Sequence, residues 1–210
     1  MGRNEVYAIT AAVTVVGFLA ASMWYASGGN SDDKFAECRT AAIAGGSAAI
    51  GGPFTLVSET GETVTDKDVF TRPSLVYFGY TFCPDVCPLD NVRNAEAIDL
   101  LTERGYDVQP VFISIDPERD TPEVLAEFTD YLHPDMLGLT GTPGQVKAAS
   151  QAYRTYYKKQ ESDDEEYYLM DHSTFTYLVL PETGFVEFFR RDTTPEEMAE
   201  TTACFVDNIG

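Results

Sequence analysis

Cys83 and Cys87 stand four residues apart in "FGYTFCPDVCPLDN" (78–91), each followed by proline and both directly after a run of aromatic and β-branched residues. Neighbouring thiols serve a disulfide, a metal clamp or a redox couple. Disulfide oxidoreductases generally place two residues between their sulfurs. Three intervene here, and the wider loop lets both sulfurs face one external atom. Pro88 suits the first position of a helix with Cys87 as its N-cap, whereas a start at Pro84 puts Pro88 inside the helix, with a lost hydrogen bond and a clash. Either start leaves the sulfurs near a helix N-terminus, where free amides and the positive end of the dipole favour thiolate over thiol.

A soft thiolate pair suits Cu(I), and an imidazole completes a three-coordinate site. The chain has two histidines. His133, in "YLHPDM", precedes a proline at the expected end of a helix and reads as a surface or C-terminal capping residue. His172, in "LMDHSTFTYLV", stands just before an expected strand, on a loop that can approach the cysteine turn; a loop histidine without that role is the competing reading. Asp171 is its neighbour, but adjacent side chains of an extended segment point to opposite sides, so it is not assigned to the imidazole.

The elements that must position these residues follow from periodicity and punctuation. "PFTLVSETGETVT" is a hairpin turning at Glu59 to Glu62; "SLVYFGY" (74–80) and "VQPVFISID" (108–116) are apolar runs expected of strands covered on both faces. Between them, Leu89, Val92, Ala95, Ile98 and Leu100 to Leu101 form an imperfect apolar helical stripe ended by Gly105. Thr121-Pro122, Thr142-Pro143 and Thr194-Pro195 announce three more helices, threonine capping and proline in the first position. "STFTYLVLPETGFVEFFR" (173–190) is a strand, a tight turn over Glu182 to Gly184 and a second strand. The order hairpin, β, α, β, α, short β, α, hairpin, α predicts an α/β thioredoxin-like sandwich with a mostly parallel central sheet and added hairpins.

Ahead of this domain, Tyr7 to Ala26 carry no charge over twenty residues, enough to cross about 30 Å of hydrocarbon. The run is longer than the apolar part of a secretory signal, so a retained anchor is expected, with cleavage near Ala20 and Ser22 as the alternative. Arg3 before it and "SDDK" after it orient residues 1–6 to the cytoplasm and the rest outward. Residues 27–52, small and Gly-rich, read as a linker to a domain over 53–210. The net charge of −20 argues against nucleic acid and against electrostatic docking on anionic lipid. The expected location is a bacterial inner membrane, single-pass, with the C-terminal domain in an oxidising periplasm.

"GYTFCPDVCP", "ISIDPERDTP" and "DHSTFTYLV", in this order behind one anchor, resemble the Sco/SenC family of copper chaperones for cytochrome c oxidase, over about residues 53 to 208. The resemblance implies that Cys83, Cys87 and His172 bind copper, as Cu(I) with Cu(II) also open. It further implies a thioredoxin-like fold, a periplasmic copper donor, and delivery to the CuA centre of oxidase subunit II. Cys83 and Cys87 must be reduced to ligate, so they are also a candidate redox-active disulfide served by a thioredoxin-like reductant. A thiol-disulfide reductase acting on the oxidase cysteines needs the same pair without His172, and a copper sensor fits the same donors. A peroxiredoxin fits poorly, because its Thr-x-x-Cys arrangement is absent: Thr81 lies only two residues before Cys83.

The remaining polar residues have plainer readings. Asp85 is a turn residue near a helix start; Asp116, Pro117, Asp120 and Thr121 form a turn and a cap; the acidic run 161–168 is a solvated loop. Cys38 and Cys204 lie outside the family motifs. Outside the cytoplasm they can close a structural disulfide, which the chain-entropy model values at about 4 to 5 kcal/mol; two unpaired thiols, Cys204 as a small core residue, are the alternative.

Overall fold

The computed structural model describes residues 2, 14–22, 34–40, 49–163 and 167–209. Two units are distinguished, 1–37 and 38–210. In the first, residues 14–22 are helical (α1) with exposed side chains, and the Ser22 hydroxyl donates to the Leu19 carbonyl at 2.9 Å. Among the described residues no helix is long and apolar enough to cross a membrane. The other parts of the expected span, 7–13 and 23–26, and the linker residues 27–33 and 41–48 lie outside the described residues.

The second unit is built on a seven-stranded sheet ordered β2-β1-β5-β4-β3-β8-β9. Its hairpin β1 (Thr55–Ser58) and β2 (Thr63–Thr65) is antiparallel, followed by a single turn α2 (Asp66–Val69) whose capping box pairs Thr65 with Asp68. At its centre run β3 (Ser74–Gly79), β4 (Gln109–Ser114) and β5 (Leu137–Thr140), mutually parallel and almost wholly buried. β8 (Thr176–Leu180) and β9 (Gly184–Phe189) form the second hairpin, with Glu182 and Gly184 at positive φ in its turn. The mostly parallel sheet expected from the element order is corrected to a mixed one. Only the helical crossovers β3-α3-β4 and β4-α4-β5 give parallel neighbours; β1 on β5, β8 on β3 and both hairpins are antiparallel. With helices packed on this sheet the fold is thioredoxin-like.

The Thr-Pro signals resolve as helices α4 (Pro122–Leu132), α5 (Pro143–Ala152) and α6 (Pro195–Asp207). Thr121, Thr142 and Thr194 accept from the amides of Val124, Gln145 and Glu197, and the last two are completed as capping boxes. Each such cap is worth about 1 kcal/mol. α3 (Val86–Glu103) starts two residues earlier than the proline rule suggested. Pro88 is its third residue, still in the first turn, where no amide has an intrahelical acceptor, so the proline costs no bond.

α3 also departs from its expected stripe. Leu89 and Val92 are exposed, while Asp90, Asn91, Arg93 and Asn94 are buried beside Ala95, Ala97, Ile98 and Leu101. Much of this polar surface is paired, with Tyr77 donating to Asp90 at 2.9 Å and Arg93 donating to the Arg190 carbonyl at 3.0 Å and to Thr176 at 3.2 Å, while Arg93 Nε and Asn94 Nδ2 have no hydrogen-bond partner among the described residues. A two-stranded ribbon was not foreseen. β6 (Tyr157–Lys159) and β7 (Met170–His172) pair with each other, Tyr157 opposite His172, and not with the main sheet.

Candidate metal centre

The cysteine loop leaves the C-terminal end of β3 and is held before the first sulfur is reached. The Thr81 amide and hydroxyl donate to Asp120 at 3.2 and 2.6 Å, and the Ser114 hydroxyl, from the end of β4, donates to the same carboxylate at 2.6 Å. Asp120 is fully buried; burial raises its pKa, opposed by these bonds from Ser114 and Thr81. Gly79 completes the seat. A Cβ there would stand 2.9 Å from the Tyr77 ring, 3.0 Å from Phe112 and 3.1 Å from the Cys87 sulfur. Only hydrogen fits beneath that sulfur.

Both thiols are free and buried. The Cys83 Sγ accepts the Cys87 backbone amide at 3.4 Å, and Asn91 Nδ2 donates to the Cys87 carbonyl at 2.8 Å, fixing the first turn of α3. The pair divides one charge between two unequal sulfurs. Cys83 is pulled well below the ordinary thiol range by the hydrogen bond from Cys87, helped by His172 and by the amides of Asp85 and Cys87, against desolvation. Cys87 is pushed up, first by serving as the donor to Cys83 and then by its burial. Of the two, Cys83 gives up its proton the more readily and Cys87 holds its own.

His172 arrives on the ribbon, at the end of β7. Its Nδ1 lies 2.8 Å from the Ser173 carbonyl, an atom that only accepts, so Nδ1 carries the proton. The other ring nitrogen, Nε2, then faces Cys87 Sγ at 3.3 Å. Tyr77 and Tyr80 meet the ring edge-on, centroids at 6.2 and 5.8 Å, and the Tyr80 hydroxyl accepts the Met170 amide at 3.3 Å. One donor atom from each of Cys83, Cys87 and His172 lies within 4.8 Å of the others. Three donors about 2.0 to 2.3 Å from one ion in a plane stand about 3.5 to 4.0 Å apart, so the group closes on a single ion with shifts of about an ångström or less. Two sulfurs and one neutral imidazole select a soft ion.

The other singled-out residues lie elsewhere. His133 is the C-cap of α4 and is buried rather than on the surface; its Nδ1 accepts the Asp135 amide at 3.1 Å and its Nε2 is 3.4 Å from Asp99. Asp85 is the exposed N-cap of α3 without a side-chain cap bond. Asp171 accepts from Gln160 at 2.7 Å, away from the imidazole. Cys38 and Cys204 are joined by a disulfide, Cα atoms 5.6 Å apart. Of the acidic run, 164–166 lie outside the described residues. Sequence reasoning missed Gly79, although an isolated glycine in an apolar strand is a sign of close approach. It also read Asp120 as a turn residue, which local pattern alone could not place beneath Thr81.

Comparison with known proteins agrees with this geometry. The SCO1/SenC family model matches residues 43–207. Protein SenC of Rhodobacter capsulatus is 57% identical over 207 residues, covering 99% of this chain and 92% of its own. Among solved structures, copper-bound ScoI of Arabidopsis thaliana superposes with a TM-score of 0.72 at 42% identity, covering 76% of this chain and 99% of that one. Copper-bound ScoI of Bradyrhizobium japonicum follows with a TM-score of 0.67 at 39% identity, covering 74% and 98%. The chain belongs to the SCO1/SenC family.

Proposed function

We propose that this protein is a copper chaperone that binds one copper ion through Cys83, Cys87 and His172 and passes it to the CuA centre of cytochrome c oxidase subunit II. The observation that carries the reading is the convergence of two free sulfurs and an imidazole nitrogen within 4.8 Å of one another. That two relatives of about 40% identity are copper-bound supports the choice of ion. Copper arrives as Cu(I) from a periplasmic donor, and a thioredoxin-like reductant keeps the pair open. Tyr7 to Ala26 tether the domain to the inner membrane with residues 53–210 in the periplasm.

Loading releases whatever thiol protons the pair still holds, Cys83 giving up its own the more readily. Transfer is a sequence of ligand exchanges in which an incoming thiolate of the acceptor replaces one sulfur at a time. Copper keeps its oxidation state, and each released sulfur regains a proton. Incubating the Cu(I)-loaded chain with an apo subunit II fragment tests this: stoichiometric transfer is expected, and binding without transfer would leave storage or sensing instead.

A second reading is favoured by the inequality of the two thiols, which also suits a thiol-disulfide reductase. His172→Ala separates the two. A chaperone loses oxidase assembly while keeping thiol exchange; a reductase keeps both.

A further inference from the structure

Arg119 contributes no donor atom, yet three stretches of chain meet on its guanidinium. Nε donates to Asp116 at 2.5 Å, closing the β4–α4 turn on itself. Nη1 donates to the backbone carbonyl of Tyr168, four residues before His172, at 3.0 Å. Its Cζ lies 3.5 Å from the centroid of the Tyr168 ring and 4.8 Å from that of Phe82, the residue immediately before Cys83. Tyr168 donates its hydroxyl to the other oxygen of Asp116 at 2.6 Å, so carboxylate, guanidinium and phenol form one unit, with Asp116 and Tyr168 buried and Arg119 half-buried.

A turn contact between residues 116 and 119 accounts for the first of these bonds only. The rest serve the ribbon. β6 and β7 pair with each other and not with the seven-stranded sheet, and an isolated two-stranded ribbon is marginal in water. His172 therefore keeps its place through what grips the ribbon from outside, and the Tyr168 carbonyl on Arg119 and the Met170 amide on Tyr80 are two such grips. Tyr80 grips the ribbon from the cysteine loop itself, whereas Arg119 reaches ribbon and loop together from the β4–α4 turn, touching Phe82 with a fork and a flat face that lysine lacks.

We propose that Arg119 is a positioning residue for the metal centre: it pins the ribbon bearing His172 to the loop bearing Cys83, so that the imidazole faces both sulfurs. The copper arm of the test below rests on the donor assignment given above; the metal-free arm does not.

In the reduced, copper-free full chain, nuclear Overhauser contacts between the His172 ring and the Tyr77 and Tyr80 rings report its placement. Arg119→Gln is expected to abolish them while the Tyr77–Phe112 core contact persists, and Arg119→Lys, which keeps the charge but not the fork, to weaken them. If the glutamine variant does not fold, the lysine variant decides by the same contacts. Inorganic Cu(I) is then titrated against a competing chelator. Arg119→Gln should lower affinity about 10- to 100-fold, the usual effect of losing an outer partner of a ligand, and should lower it no further when His172→Ala is already present. His172 contacts of undiminished strength, or an equal loss of affinity in the His172→Ala background, would overturn the proposal. If the unmodified chain takes up no copper, the donor assignment fails, and the metal-free contacts still decide the role of Arg119.

Discussion

Gly79 shows how little freedom the site has at the scale of a residue. Alanine there would press a methyl against Tyr77, Phe112 and the Cys87 sulfur, all at 3.1 Å or less. Since the neighbours belong to a packed strand pair, the sulfur must move. Gly79→Ala is predicted to cost about 1 to 3 kcal/mol by overpacking and to weaken copper retention, measured by thermal unfolding and chelator competition; no change in either would remove the glycine from the site. The sulfurs themselves predict a pH dependence. Folding lowers the Cys83 pKa, so its contribution to stability is fully present above the unfolded thiol value of about 8.5 and is lost as pH falls through the lower folded value. Cys87 is raised, and its contribution fades as pH rises through its folded value. Thiolate absorbance of the reduced, metal-free chain should persist at neutral pH at about one per molecule and vanish in Cys83→Ser. Absorbance appearing only near the ordinary thiol range would contradict the assignment.

Among elements, the parts with strong local signals could be read directly. Three threonine caps followed by proline gave three helices, and the all-apolar runs gave β3 and β4. Cys83 and Cys87 were legible because their spacing is local. What failed to show was set by tertiary partners. The α3 stripe misled because its buried face is polar, paired to Tyr77, Thr176 and the Arg190 carbonyl. The ribbon was silent because β6 and β7 have three residues each, with two lysines in one of them. The placement of His172 came from family resemblance, since nothing near it in sequence says what it faces. Asp120 joins the end of β4 to the cysteine loop, and Asp120→Ala leaves the Thr81 amide and hydroxyl and the Ser114 hydroxyl without their acceptor. A loss of about 1 to 3 kcal/mol is predicted, with faster amide exchange at 81–87; unchanged exchange there would show that the loop is held by other means.

For the molecule as a whole, the two cysteine pairs have separate duties. Cys83 and Cys87 are free thiols beyond the end of β3, while Cys38 and Cys204 close a loop of 166 residues between the segment ahead of β1 and the last helix. Beside that bridge, Arg39 donates to the Val186 carbonyl at 2.5 Å and the Thr40 amide to the buried Glu187 at 3.0 Å, so the segment is fastened to β9 as well. The entropy model assigns such a closure about 5 kcal/mol. The variant Cys38→Ser with Cys204→Ser is predicted to unfold at lower denaturant, by about 2 to 5 kcal/mol, with copper stoichiometry unchanged; loss of copper would show that the two pairs are not independent.

The claim on which the account turns is that three side chains close on one soft ion. Anaerobic titration of the reduced full chain with Cu(I) against a competing chelator tests it most directly. One equivalent is expected, bound with nitrogen and sulfur ligation visible by X-ray absorption, with retention lost in Cys83→Ser and Cys87→Ser and the nitrogen missing in His172→Ala. An unchanged equivalent in the double serine variant would contradict the account.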